Sequence, residues 1–143
     1  MNLAFFSCIF MLRRKENYFE KIEDLSGLSS NHPILSFSLL IILFSLAGIP
    51  PLAGFFAKFY IFVAVIDQSM YFLAIVGLLS SVIAAFYYLR IIKVIYFDKE
   101  KEKFDKDHHI SLKISLVLSS IFILFYFIYP NMLNEIISKI NII

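Results

Sequence analysis

Lys58 is the only charged side chain between Leu25 and Ile66, and it stands just past a Pro-Pro pair in the run SLAGIPPLAGFFAKFY, Ser45 to Tyr60. Moving a lysine ammonium into hydrocarbon costs about 2.5 to 3.5 kcal/mol on insertion scales, so an intramembrane lysine normally faces a polar interior and serves ion movement. Burial disfavours the charged form of an amine, and a lysine held in such a place can lose and regain a proton. That is the chemistry of a proton relay. The competing reading is structural: Lys58 lies about 12 Å along a helix from Ile66, and its stem could snorkel part of that way to the interface. Gly54 precedes Lys58 by one turn and is expected to open space on the same helical face, with Phe55 and Phe62 as apolar walls.

Other reactive side chains carry weaker patterns. Arg90 and Lys93 end a long apolar run beside Tyr87, Tyr88 and Tyr96, the grouping that anchors a helix at the headgroup level and sets its orientation. Asp98 to Asp107 alternates Lys with Asp and Glu, as a solvated loop does. Adjacent histidines, His108 and His109, do not share a helix face, and nothing with metal-ligand spacing accompanies them. Cys8 is the single cysteine, which excludes an intrachain disulfide and a cysteine metal cluster. No residue set has the form of a hydrolase triad, a phosphate loop or a flavin site.

The elements that must position Lys58 follow from composition. Of the 143 residues, 60% are hydrophobic, and the mean hydropathy is +0.82; soluble domains hold about 45 to 50% apolar residues. The chain therefore reads as a membrane protein. Its charges nearly balance, at +2, and gather in Arg13 to Asp24 and Arg90 to Asp107, with the rest isolated near the ends of apolar runs. Such clustering marks loops between spans and speaks against a nucleic-acid face. The basic cluster Arg13, Arg14, Lys15 follows the first apolar residues, the reverse of a secretory signal.

Residues 1–12 are too short to span, since a hydrocarbon core of about 30 Å needs about 20 helical residues. They read as a helix stub whose beginning is absent. A polar stretch from Arg13 to Pro33 follows, in which Ser30 or Asn31 is expected to cap the next helix, with Pro33 in its first turn. Residues 34–66 as one straight helix would run about 50 Å, well beyond a bilayer core. Residues 71–97 and 110–129 complete the apolar inventory. The fold class is an all-α, polytopic transmembrane helical bundle: three spans, the first broken at Pro50-Pro51, plus the stub.

Two arrangements of residues 34–66 compete, a hairpin at Pro50-Pro51 and a single broken pass. Asp67 to Met70 carries no Lys or Arg, whereas cytoplasmic loops are enriched in them. A single broken pass brings Arg13 to Lys21 and Arg90 to Lys106 to one side and leaves the Asp67 turn and Lys139 on the other. A hairpin would put the two basic regions on opposite faces, so the charge asymmetry favours the single pass. Proline lacks an N–H, so Pro50 and Pro51 must free carbonyls such as those of Leu46 and Ala47. Lipid cannot satisfy them; protein or a water-filled cavity can. Gly48 and Gly54 flank the break and permit close approach. Broken helices near the midplane recur in ion-coupled transporters.

The stretch from Lys21 to Asp98 resembles the C-terminal region of respiratory complex I subunit 2, called subunit N in bacteria. The resemblance is carried by KIEDLSGL at Lys21 to Leu28, SLAGIPPLAGFFAKFYIF at Ser45 to Phe62, and SVIAAFYYLRIIKVIYF at Ser81 to Phe97. It implies a non-redox subunit of the proton-pumping membrane arm of an NADH:quinone oxidoreductase. NADH, flavin, iron-sulfur clusters and quinone are then expected in partner subunits and none in this chain. The lysine of the GFF-x-KF segment is a station on the proton path of such subunits, and Lys58 matches it. The resemblance also implies a cytoplasmic or matrix location for the loop after Arg90, and a bacterial inner membrane or, alternatively, a mitochondrial one.

Family members carry many more spans, including a glutamate and further lysines with no counterpart here. Lys58 alone cannot form a transmembrane relay. Met1 falls within an apolar run, which points to truncation, with the upstream part as a separate chain or the product inactive. The rival readings are a subunit of a multisubunit cation/proton antiporter, which shares the LAG-x-P-P pattern, and a structural remnant that only packs against partners.

Overall fold

Proline and glycine set both ends of the helix that precedes the break, Pro33–Ala47. The protein is described by a computed structural model over residues 1–12, 21–99 and 110–126, and among these every regular element is helical. The six α-helices are α1 (Asn2–Met11), α2 (Leu28–Asn31), α3 (Pro33–Ala47), α4 (Ala53–Asp67), α5 (Tyr71–Phe97) and α6 (Ile110–Phe125), with a short 3-10 turn at Ile22–Leu25. Arg13 to Lys15, Lys101 to His109 and Lys139 lie outside the described residues, as do 127–129 of the third expected span.

Helix α3 starts with Pro33 in its first turn and His32 at the N-cap. Proline suits that position because its fixed φ is helical and its missing N–H would have had no intrahelical partner. Ser30 and Asn31 do not cap α3, contrary to the sequence expectation; both belong to α2, which intervenes. At the other end Gly48 adopts the left-handed conformation, φ 84° and ψ 33°. Its N–H and that of Ile49 both reach the Phe44 carbonyl, at 3.1 and 3.0 Å, the closure that a C-terminal glycine permits. The Pro50-Pro51 peptide is cis, and α4 resumes from an extended Leu52.

Helix α5 has 27 residues and is, among the described residues, the one helix long and apolar enough by itself to cross a membrane. At about 1.5 Å per residue it runs roughly 40 Å. Helices α3 and α4 have 15 residues each, about 22 Å apiece, and lie along α5 in succession. The Gly27 N–H donates to the Val94 carbonyl at 3.4 Å, so the start of α3 sits at the C-terminal end of α5. Farther on, Phe62 of α4 packs on Gly77 of α5, and a tight turn through Ser69 joins α4 to α5. The chain thus follows α5 antiparallel from one end to the other and does not double back at the prolines.

Helix α3 occupies the centre, packed by α1, α2, α4, α5 and α6. Its buried residues, Leu35, Ser36, Ser38, Leu39, Ile41, Ile42, Leu43 and Ser45, cover more than half of its circumference, while Phe37 on the remaining face is exposed. Helix α6 packs on α1 and α3, with Ser7 and Ser115 joined by a 3.1 Å hydroxyl pair and Phe56 edge-on to Tyr126. By contrast Phe72, Val82, Ile83 and Phe86 of α5 stand exposed. Surface that apolar marks contact with lipid or with further protein.

Candidate functional site at the helix break

In a continuous helix the N–H of residue 51 would close onto the carbonyl of Ala47, and Pro51 has no N–H to give. The Lys58 ammonium donates to that carbonyl instead, at 3.1 Å. Lys58 stands in the second turn of α4, and helical side chains lean toward the N-terminus, which carries its amine back to the break. Among the described residues this is its one hydrogen bond, and it has no ion-pair partner there. A carbonyl without a partner away from water costs about 1 to 3 kcal/mol, and hydrogen bonds to charged groups are the stronger kind.

Gly48 makes this reach possible in two ways. Its positive φ is a conformation that L side chains rarely adopt, and the lysine stem crosses it closely. A Cβ on Gly48 would lie 3.0 Å from Lys58 Cδ and 3.4 Å from Nζ. Gly54 has a different job from the one its spacing suggests. It opens no space for Lys58, because the backbone of α3 fills the position: a Cβ there would overlap the Ser45 carbonyl oxygen and stand 2.6 Å from the carbonyl carbon. The Gly54 N–H donates to Ser45 Oγ at 3.0 Å in a buried bond. The two half-helices therefore meet backbone to backbone at Ser45 and Gly54, with the lysine stem over Gly48.

Beside the break a cavity of about 400 Å³ opens between α4 and α5, lined in part by Gly48, Phe55, Lys58, Phe62, Leu78 and Ser81. Phe55 and Phe62, expected as apolar walls, both line it. Lys58 and Ser81 supply the polar side chains of an otherwise apolar surface. Ser81 and its neighbour differ: the Ser80 hydroxyl donates back to the Val76 carbonyl at 2.8 Å, the ordinary habit of a helical serine, while Ser81 faces α4. Gly77, Ser81 and Ala85 recur every fourth residue, a small-residue stripe of the kind that lets helices approach closely in lipid. Arg90 and Lys93 are not among the cavity residues. No group of three or more His, Cys, Asp or Glu able to hold a metal occurs among the described residues.

Comparison with known proteins meets this geometry from the sequence side. Over all 143 residues the chain is 76% identical to NADH-quinone oxidoreductase subunit N of Pelagibacter ubique, of which it covers 30%. It is 50% identical over 130 residues to the subunit of the same name from Parvibaculum lavamentivorans, covering 27%. The chain thus spans less than a third of the length of these curated relatives. A chain of respiratory complex I from Thermus thermophilus with bound aureothin superposes with a TM-score of 0.70 at 25% identity, over 78% of this chain and 26% of that one. Residues 1–84, which contain the break and Lys58, match the profile described as NADH:quinone oxidoreductase/Mrp antiporter, transmembrane. On that match, over more than half of its length, the chain belongs to the NADH:quinone oxidoreductase/Mrp antiporter transmembrane family.

Proposed function

We propose that the chain forms part of a proton-translocating membrane subunit of an NADH:quinone oxidoreductase, with Lys58 as a proton relay in the broken helix. The observation that carries this is the bond from the Lys58 ammonium to the carbonyl left free at Ala47, at the wall of a cavity. That carbonyl stabilises the protonated amine, and the amine's remaining donors are free to exchange a proton with water entering the cavity. Gly48, Pro50, Pro51 and Gly54 build the break that creates the acceptor. The chain's part in turnover is to hold and release a proton. NADH, flavin, iron-sulfur clusters and quinone belong to partner subunits.

In the membrane, α3 and α4 make one broken pass, α5 a second, and α6 belongs to a third. The basic regions around Arg13 and Arg90 then lie on the cytoplasmic side and the Asp67 turn on the other, in line with the positive-inside rule. The bacterial relatives support a bacterial inner membrane. The exposed face of α4 and α5 packs against the remaining helices of the subunit and against other membrane subunits and lipid.

The test is Lys58→Ala in the assembled complex, with NADH oxidation and proton uptake measured together in sealed vesicles. Loss of translocation supports the relay; unchanged translocation per NADH removes it. Because the family also includes cation/proton antiporters, sodium-driven proton exchange in the same vesicles without NADH is the sign of that second reading.

A further inference from the structure

Ser45 behaves unlike a serine that merely fills a helix. Ser7 and Ser80 each turn their hydroxyl back to the carbonyl four residues earlier, at 2.9 and 2.8 Å, as helical serines commonly do. Ser45 is fully buried, and its hydroxyl leaves its own helix. It accepts the Gly54 N–H at 3.0 Å and donates to the Met1 sulfur at 3.0 Å. Gly54 is the second residue of α4, so its N–H is one of the donors that a helix start cannot satisfy internally. Leu52, at the N-cap, has no side chain able to do so. A side-chain oxygen at an N-cap normally provides that acceptor; here it comes from the last turn of the preceding half-helix.

We propose that Ser45 is a positioning residue for Lys58: its hydroxyl caps α4 across the break and fixes the offset at which the Ala47 carbonyl meets the lysine amine. Ser45 and Ala47 share the last turn of α3, and Gly54 and Lys58 are one turn apart on α4. One hydroxyl bond therefore sets both sides of the Lys58–Ala47 contact. Gly54 is small enough for the bond to form at backbone contact. The Met1 sulfur accepts the hydroxyl's hydrogen bond and leaves the oxygen lone pairs toward Gly54. This inference rests on the relay reading of Lys58, and its test separates the two.

The variants Ser45→Ala, Ser45→Thr and Lys58→Ala are compared in membranes containing the assembled complex. Two quantities are read: NADH-driven proton translocation across a pH series, and acetylation of Lys58 by acetic anhydride, scored by mass spectrometry against Lys93. Ser45→Ala is expected to lower translocation and raise Lys58 acetylation by about threefold to tenfold, the worth of one net hydrogen bond. Its pH profile should change shape, and Ser45→Thr, which keeps the hydroxyl, should restore both readouts. Wild-type acetylation and an unchanged pH profile in Ser45→Ala, with translocation lost in Lys58→Ala, overturn the positioning role and leave the relay standing. Unchanged translocation in Lys58→Ala overturns both. If Ser45→Ala does not assemble, Ser45→Cys, similar in volume and a weaker acceptor, carries the same comparison.

Discussion

The Lys58 ammonium sits 3.1 Å from the carbonyl oxygen of Ala47, where a helix without Pro51 would have placed a backbone N–H. The lysine and the break therefore answer each other. The prolines expose an acceptor that lipid cannot satisfy, and the lysine brings a charge that lipid cannot solvate. Each lowers the penalty of the other, which gives a physical reason for both in the same apolar stretch.

This pairing separates the structural part of Lys58 from the proposed proton relay. Arginine keeps a donor for the Ala47 carbonyl but stays protonated in proteins. Lys58→Arg is expected to assemble with near wild-type thermal stability and to translocate few or no protons. Lys58→Met keeps the packing and removes the donor, so it should also lower stability by about 1 to 3 kcal/mol, the penalty of an orphaned carbonyl. Thermal inactivation of NADH:quinone turnover, measured beside vesicle acidification, distinguishes the two. Full translocation by Lys58→Arg would leave Lys58 with a structural role alone.

Gly48→Ala addresses the approach of the stem. A non-glycine residue at a φ of 84° costs about 1 kcal/mol or more, and the new methyl presses on Lys58 Cδ. That atom belongs to a flexible side chain, so the lysine can move aside and the fold survives. The expected result is an assembled complex with a modestly lowered thermal midpoint and several-fold weaker translocation. Asparagine tolerates the left-handed conformation better; Gly48→Asn should recover stability without recovering translocation, because its side chain still displaces the stem.

The helix break was legible in the sequence because Pro50-Pro51 acts on the backbone directly: the missing N–H groups and the freed Ala47 carbonyl follow from covalent structure. Lys58 was legible because a lone charge in an apolar run is expensive. What fills the gap beside a glycine was not, since spacing says only that room exists. Gly54 lies one turn from Lys58, a spacing that suggests room for the lysine, yet the Ser45 backbone occupies that room. Ser45 escaped notice for the same reason, its partner being nine positions away across a turn whose shape only the folded chain defines. The N-cap of α3 departs from the sequence expectation because α2 absorbs Ser30 and Asn31, and nothing in the local composition announces so short a helix.

Phe62 and Gly77 form a second contact that a small change should break. A Cβ on Gly77 would lie 2.9 Å from the edge of the Phe62 ring, so Gly77→Ala overpacks the α4–α5 seam, a change that typically costs about 1 to 3 kcal/mol. Phe62→Leu shortens the side chain and should relieve the clash. The double variant is then expected to be more stable than Gly77→Ala alone, the non-additivity of residues in contact. Thermal inactivation of the four forms completes the cycle, and simple additivity would mean that the two residues do not meet in the assembled protein.

The course of α3 and α4 along α5 has a topological consequence that labelling can check. The Gly27–Val94 hydrogen bond holds the start of α3 against the end of α5, so Lys21 and Lys99 belong to the same face of the membrane, and Gln68, in the turn before α5, to the other. A hairpin at Pro50-Pro51 would separate Lys21 from Lys99. Single cysteines at Lys21, Gln68 and Lys99 therefore discriminate, using a membrane-impermeant maleimide on vesicles of each orientation; Cys8 is fully buried and contributes little background. Lys21→Cys and Lys99→Cys are expected to label from the cytoplasmic face and Gln68→Cys from the opposite one. Labelling of Lys21→Cys and Lys99→Cys from opposite faces would rule out the single broken pass.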